Sequence, residues 1–215
     1  MIRIYGRATS SNVQTVMWLV GELGLRHERL DYGHLHGGLD DPAFRAINPH
    51  GLVPALVDGD LSVFESSAIL RYLAARYASG GPFWPEDAAA RARIDKWAEW
   101  AKTTLAPAFT APIFWSRVRT PAAERDEAAL AAAIGRFEDH LASLAVALCD
   151  KPFICGGDLT LADIVAGHVL FRYFDIDIPR SPPPAIRDYY DRLCERPAYR
   201  EHVMVSYEPL RAEGA

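Results

Sequence analysis

Polar side chains suited to ligand chemistry first occur between a predicted strand and a predicted helix, at Thr9, Ser10, Ser11 and Asn12. A helix N-terminus leaves backbone N–H groups unpaired and carries roughly half a positive charge, so it attracts anions. The sequence contains neither the glycine-lysine motif of P-loops nor the glycine-rich motif of dinucleotide sites, so phosphate is not the expected anion. The alternative is that Ser11 or Asn12 only caps the helix.

A second candidate lies in the turn before the third predicted strand, where Val53 precedes Pro54. Proline cannot donate a hydrogen bond to a sheet ladder, so Pro54 must stand at the start of the strand. A cis bond between Val53 and Pro54 would aim the backbone groups of Val53 outward, where they could bind a peptide-like ligand. An ordinary turn before a strand is the alternative.

A third candidate is the passage from the last predicted strand into the following helix, at Glu65 and Ser66. The Glu65 carboxylate, the Ser66 hydroxyl and the free amides of the helix start could together hold the ammonium and carboxylate of an amino-acid group. Simple capping of the helix by Ser66 is the alternative.

The elements that position these residues are predicted from hydrophobic periodicity. Up to about residue 80, strand patterns alternate with helix patterns in the order β-α-β, a loop with one short helix, and β-β-α. Asp58, Gly59 and Asp60 form a strong hairpin signal, so the last two strands should be antiparallel, whereas the first βαβ unit should be parallel. The fold class is therefore predicted as an α/β unit with a small mixed sheet.

The sequence after this unit has helical periodicity throughout. Helices are predicted over residues 87–105, 109–119, 122–148, 161–173 and 185–195, with Pro107 and Pro112 separating the first two. Thr160 and Asp163 have the spacing of a capping box, for which a structural role is predicted. The predicted division is residues 1–78 for the α/β domain, 79–86 for a linker and 87–215 for an all-helical domain.

Composition excludes several classes of protein. The chain has 215 residues, of which 50% are hydrophobic, so it can bury a substantial core. Its net charge of −5 is spread along the chain, which disfavours a nucleic-acid partner. Its 3 cysteines include no Cys-x-x-Cys pair, which indicates a reducing compartment. No apolar stretch or N-terminal leader indicates a membrane span or export, so a soluble cytoplasmic protein is expected.

Taken together, the motifs resemble those of the cytosolic glutathione transferase family, in particular its serine-type, bacterial-like members. The resemblance rests on five motifs in the family's order: Ser-x-Asn at 10–12, Asn-Pro-x-Gly-x-Val-Pro-Ala-Leu at 48–56, Asp-Gly-Asp at 58–60, Glu-Ser-x-Ala-Ile-x-x-Tyr-Leu at 65–73 and Leu-Thr-Leu-Ala-Asp-Ile at 159–164. It implies a thioredoxin-like βαβαββα domain, an all-helical C-terminal domain and a homodimer. The implied activity is conjugation of the glutathione thiolate to small hydrophobic electrophiles, as in detoxification.

The resemblance also implies roles for the residues at the matching positions. Ser10 resembles the serine that donates a hydrogen bond to the glutathione sulfur, with Ser11 as the alternative and Asn12 as a second donor. Val53 resembles the residue whose backbone pairs with the cysteinyl part, and Pro54 resembles the family's cis-proline.

The resemblance implies contacts for the γ-glutamyl end of glutathione but no matching residues for its glycine end. Glu65 and Ser66 resemble the pair that holds the γ-glutamyl end. Some classes place basic or amide side chains near the glycine carboxylate, where this chain has unsuitable residues at positions 39, 40 and 52. His36 or His50 is expected to take their place.

The electrophile pocket should be lined by the helical domain, where an aromatic wall is predicted from Phe109, Phe114 and Trp115. Core packing of these side chains is the alternative. His34 and His36 lack partners at convincing metal-ligand spacings, so no metal is expected.

Two further functions remain open on the same scaffold. One is a glutathione-dependent isomerase, dehalogenase or disulfide reductase, although Asn12 in place of a cysteine argues against mixed-disulfide chemistry. The other is a non-catalytic glutathione-transferase-like binding module.

Overall fold

The computed structural model describes residues 1–213, and its N-terminal third forms a four-stranded mixed sheet in the order β2-β1-β3-β4. β1 pairs parallel with β2, whereas β3 pairs antiparallel with both β1 and β4. The predicted parallel unit and hairpin are both confirmed. The strands and helices of this part are β1 (Ile2–Tyr5), α1 (Ser11–Glu22), β2 (His27–Leu30), α2 (Pro42–Ile47), β3 (Ala55–Asp58), β4 (Leu61–Phe64) and α3 (Ser66–Tyr77).

The two faces of the sheet are covered by different helices because successive strand residues point to opposite sides. Ile4 belongs to the main core that includes the buried faces of α1 and α3, whereas Tyr5 belongs to a small second core with Phe44 of α2. β1 and β4 end at the edge where β3 begins, since Ala55 pairs with both Tyr5 and Phe64. This arrangement brings the starts of α1, β3 and α3 to one end of the sheet.

All longer elements after residue 87 are helical, as predicted. They are α4 (Ala88–Trp100), α5 (Ala106–Phe109), α6 (Glu127–Leu148), α7 (Leu161–Gly167), α8 (Leu170–Asp175), α9 (Pro184–Cys194) and α10 (Pro197–His202). The predicted fold class, an α/β domain followed by an all-helical domain, is confirmed. The periodicity did not predict α10, which is short and begins at a proline.

The predicted break between two helices near Pro107 and Pro112 is wrong, because residues 88–119 form one continuous helical run. Two π-helical stretches, Ala101–Leu105 and Thr110–Arg119, flank α5 within it. A π turn spans five residues instead of four and so changes which backbone groups must pair. The run therefore absorbs both prolines without ending.

The capping box at the start of α7 is confirmed as a buried structural centre. The Asp163 carboxylate is fully buried and accepts hydrogen bonds from Thr160 N (2.8 Å), Thr160 Oγ1 (2.9 Å), Ile154 N (2.9 Å) and the Tyr189 hydroxyl (2.9 Å). Four donors match the acceptor capacity of one ionised carboxylate. Asp163 thus ties α7 to α9 and to the preceding loop.

No helix among residues 1–213 is both long and apolar enough to cross a membrane.

Candidate active site

A cavity of about 320 Å³ opens at the end of the sheet where α1 and β3 begin. One wall comes from the sheet domain and includes Ser10, Ser11, Asn12 and Val53. The opposite wall comes from the helical domain. Residues that the sequence separates by more than 150 positions therefore share one site.

The Ser10 hydroxyl stands at the N-terminus of α1 without capping it. Ser10 is the N-cap residue by its backbone, and its carbonyl accepts from Gln14 N at 2.9 Å, yet its side chain makes no capping hydrogen bond. Ser11 is already the first helical residue, so neither it nor Asn12 is the cap. The first turn of α1 contains no acidic side chain that would offset the positive end of the helix.

The backbone turn at the start of β3 forms the adjacent edge of the cavity. The bond between Val53 and Pro54 is cis, Pro54 is buried, and Val53 lines the cavity. This is the arrangement that the sequence predicts for a proline at a strand start.

Glu65 and Ser66 are not among the residues that line this cavity, although they follow Phe64, which pairs with Ala55 at the start of β3. Glu65 has a φ of 68°, in the left-handed region that non-glycine residues seldom occupy. Such strained residues concentrate at ligand sites. Glu65, not Ser66, is the N-cap residue by backbone position, and its side chain makes no capping hydrogen bond. The Ser66 side chain is buried.

Lys102 links the start of α1 to the start of α3, and the sequence analysis does not identify it. Its Nζ donates to Asn12 Oδ1 at 2.8 Å and to Ser66 Oγ at 2.9 Å. Burial lowers the pKa of Lys102, while the nearby carboxylates of Glu65 and Glu99 oppose that shift. Lys102 lies on the first π-helical stretch, and such stretches often mark functional positions. No local signal in the sequence connects positions 12, 66 and 102.

The predicted aromatic wall of the helical domain is only partly present: two of its three residues line the cavity. Phe114 and Trp115 line it, with Phe114 buried and Trp115 45% exposed. Phe109 does not line it and instead packs in the core, with its ring 5.2 Å from that of Phe137. The predicted wall is corrected accordingly: Phe109 does not face the cavity, and the residues of this helical run that line it are Thr110, Phe114, Trp115 and Arg119.

Three arginines also line the cavity, and none was a sequence candidate: Arg7, Arg119 and Arg172. Arg172 is 5% exposed, and its Nη2 donates to Thr9 O at 2.7 Å. Burial lowers the pKa of Arg172 to about 10, so its guanidinium stays charged at neutral pH. Arg7 precedes α1, and its pKa is lowered by burial and by the charge of Arg119.

The two histidines expected at the glycine end of glutathione lie outside this cavity. His50 is exposed, with its ring 5.3 Å from the ring of Phe64. His36 is exposed, with its Nε2 3.9 Å from Asp31 Oδ1. The structure does not bring either one beside Ser10. Over residues 1–213, no cluster of three or more His, Cys, Asp or Glu side chains has the arrangement of a metal site.

Comparisons with known proteins agree on one family. The family model for the glutathione S-transferase N-terminal domain matches residues 4–82, and that for the C-terminal domain matches residues 120–192. Glutathione S-transferase GstB of Escherichia coli is 37% identical over 207 residues, covering 95% of this chain and 99% of the relative. Glutathione S-transferase 3 of Zea mays is 31% identical over 215 residues, covering 94% of this chain and 93% of that one.

Among solved structures, a similar one is the theta class glutathione S-transferase of Xanthomonas axonopodis pv. citri with glutathione bound. It is 42% identical, with a TM-score of 0.89, and the match covers 95% of this chain and 98% of that chain.

Proposed function

Because this chain belongs to the glutathione S-transferase family, we propose that the cavity beside Ser10 is where it binds glutathione and conjugates the thiolate to small hydrophobic electrophiles. The chain is a glutathione transferase enzyme, as its curated relative and its theta class structural neighbour are. The proposal concerns which residues perform the reaction and on what kind of electrophile.

The observation that carries the proposal is the uncommitted Ser10 hydroxyl at the start of α1. It lines the cavity and makes no capping hydrogen bond, so it can donate to a sulfur placed there. Ser10 acts as a donor and not as a nucleophile. Lys102 occupies the oxygen of the Asn12 amide, so the amide NH₂ is the end left to donate as well.

The energies are sufficient for this role. A free thiol has a pKa of about 8.5, and lowering it by about two units takes roughly 2.7 kcal/mol of preferential thiolate stabilisation. One hydrogen bond to a charged group contributes about 1.5–3 kcal/mol, and the helix terminus adds about 0.3–1 kcal/mol. No general base is required.

The proposed contacts of the remaining parts of glutathione are with residues near Ser10. The cysteinyl backbone pairs with Val53 next to the cis Pro54. The γ-glutamyl end lies at Glu65 and Ser66, where the Lys102 ammonium adds a cation for its carboxylate. His36 and His50 stay predicted contacts for the glycine carboxylate, from exposed positions outside the cavity.

The electrophile lies against Phe114 and Trp115, the aromatic part of the opposite wall. The thiol proton passes to solvent, the sulfur forms a bond to the electrophilic carbon, and the bond from that carbon to its leaving group breaks. The aromatic wall favours electrophiles with a flat apolar body.

We also propose that the protein acts as a cytoplasmic homodimer and that its domains divide at residues 1–78, 79–86 and 87–215. The family resemblance supports the first point. The second is supported by the end of α3 at Tyr77 and the start of α4 at Ala88. Residues 214 and 215 of the proposed helical domain lie outside the described residues.

The test compares Ser10→Ala with Ser11→Ala in conjugation of glutathione to an activated aryl halide. The pKa of the bound thiol is read from the pH dependence of thiolate absorbance. We expect Ser10→Ala to raise that pKa by one to two units and to lower kcat/KM about 10- to 100-fold. Ser11→Ala, a matched removal of the adjacent hydroxyl, should shift that pKa by less than about half a unit and change kcat/KM by less than about threefold.

The reverse result, with Ser11→Ala alone abolishing thiol acidity, would reject Ser10 as the donor. Glutathione binding in a thermal-shift titration without turnover of the aryl halide would support the binding-module alternative instead.

A further inference from the structure

The cavity beside Ser10, where we propose that glutathione meets the electrophile, has a cationic character that an apolar electrophile would not need. Its lining includes Arg7, Arg119 and Arg172 but contains no aspartate or glutamate. In the described part of the chain, none of the three arginines forms a salt bridge. Three cations therefore face one space without a protein counter-ion.

Arg172 is the most informative of the three because it is buried. Its Nη2 donates to Thr9 O at 2.7 Å, whereas its Nε is buried and has no acceptor among residues 1–213. The buried Nε of Arg7 likewise has no acceptor there. Buried charges in proteins are normally paired, and buried N–H groups normally have acceptors. An anion in the cavity would supply the missing partner.

The arginines are held against the aromatic residues of the same wall. The guanidinium carbon of Arg172 lies 4.4 Å from the ring centroid of Phe114, and that of Arg119 lies 5.1 Å from the ring of Trp115. Trp115 and Arg119 are four positions apart on one helical run, so they occupy the same side of it. Each aromatic surface is thus paired with a cation that can bind an oxyanion bidentately.

We propose that the electrophile taken by this enzyme carries an anionic group, of which a carboxylate is the simplest, and that Arg7, Arg119 and Arg172 bind it. This inference rests on the proposed function, because it names the substrate class of the same site. The aromatic body of the substrate lies on Phe114 and Trp115 while its acid group meets the guanidinium groups.

The same chemistry has a second source, the glycine carboxylate of glutathione. We assign the arginines to the electrophile because Arg119 and Arg172 belong to the aromatic wall of the helical domain. The experiment separates the two sources.

The experiment uses two chloronitroarenes of closely similar shape, of which one is an anion and the other is neutral. One is a chloronitrobenzoate with its chlorine para to the carboxylate, and the other is the corresponding chloronitrobenzamide. In both, the glutathione sulfur forms a bond to the chlorinated carbon, chloride leaves with the bonding electron pair, and the thiol proton goes to solvent. The value of kcat/KM for each is divided by its uncatalysed rate constant with glutathione. Since both react with the same thiolate, the ratio of the two values is insensitive to the thiol pKa.

We expect the wild-type enzyme to prefer the benzoate by about tenfold or more in this ratio. Arg119→Gln and Arg172→Met should each reduce the preference about 10-fold while the amide still reacts. Arg117→Gln is the matched control, since Arg117 lies on the same helical run, pairs with Asp177 and does not line the cavity. It should leave the preference unchanged. Because Arg119 is exposed, its variant decides the test even if Arg172→Met does not fold.

Three results would overturn the inference in distinguishable ways. Equal normalised values of kcat/KM for the benzoate and the amide in the wild type would remove the anion preference and leave the proposed function intact. A rise in the glutathione KM in the arginine variants, with loss of activity when the wild type is given the glycine ethyl ester of glutathione, would assign the arginines to glycine. Absence of turnover with either arene would remove the proposed function itself.

Discussion

At the site that we propose for the γ-glutamyl end, Lys102 is the residue that the sequence could not have identified. It reaches Asn12 and Ser66 across 90 and 36 positions of chain, respectively. Sequence reasoning finds Ser10, Val53 and Ser66 because each stands at the start of a helix or strand, where free backbone groups are a local property. A lysine in the middle of a helix has no such local context. Arg172 is not identified from the sequence for the same reason, since its contact with Thr9 spans 163 positions.

The first prediction concerns Lys102. Lys102→Met removes the ammonium but keeps most of the apolar stem, and we expect it to raise the KM for glutathione about tenfold or more. The KM for the electrophile should change less than about threefold, because Lys102 is not among the residues that line the cavity with Phe114 and Trp115. Initial-rate kinetics with each substrate varied in turn measures both.

Lys96→Met is the matched control, because Lys96 is exposed on α4 and its Nζ lies 6.0 Å from the centroid of the Trp97 ring. A glutathione KM that is the same in Lys102→Met as in Lys96→Met would show that the Lys102 cation does not bind the tripeptide.

Among the helices, the sequence predicted where most elements begin better than how they continue. The start of α7 was identified because Thr160 and Asp163 satisfy a short-range hydrogen-bonding pattern. The continuous run from residue 88 to residue 119 was divided in error, since prolines normally interrupt a helix. The π-helical turns that accommodate Pro107 and Pro112 depend on tertiary packing, which propensities do not contain. Packing also places Phe114 and Trp115 at the cavity and Phe109 in the core.

The second prediction concerns His168, which lies between α7 and α8. It is buried, and its Nδ1 donates to Val165 O at 2.7 Å. Burial lowers its pKa from 6.5 to about 3. The folded protein therefore keeps this imidazole neutral over a pH range in which the unfolded chain protonates it. Its contribution to the free energy of unfolding is complete above pH 6.5 and is lost as the pH falls toward 3.

From this shift we expect the free energy of unfolding of the wild type to fall between about pH 7 and pH 5. The fall should be about 2 kcal/mol larger than the fall in His168→Gln. Urea denaturation of both proteins at the two pH values gives the difference. His140→Gln replaces a half-buried histidine on α6 and controls for the exchange of imidazole for amide. Parallel pH dependence of the wild type and His168→Gln would show that His168 has an ordinary pKa.

For the molecule as a whole, the two domains are joined by polar contacts as well as by one apolar core. Arg196 and Glu22 form an ion pair at 2.5 Å, and the Trp18 indole donates to the same carboxylate at 2.8 Å. The contact of Arg172 with Thr9 adds another link. The fold class could be predicted in full because helix and strand periodicity reflect which faces are buried. The geometry between the domains could not, since it depends on pairs far apart in the chain.

The third prediction concerns assembly. As a member of its family, the protein is expected to have a molar mass in solution twice that of one chain. Light scattering coupled to size exclusion measures this directly, and dilution over a hundredfold range tests the stability of the pair. A mass equal to one chain at all concentrations would contradict the homodimer.

The division of the cavity between the two domains has a consequence for how such enzymes can be recombined. Of the residues that line the cavity, Ser10 comes from one domain and Trp115 and Arg172 come from the other. The hydrogen bond from Lys102 to Ser66 also joins the two domains. A chimera that exchanged either half with that of a homologue would take the two sides of each pairing from different parent proteins. Under the proposed roles, glutathione binding and the preference among electrophiles would then be kept only when the two halves carry matching residues at these positions.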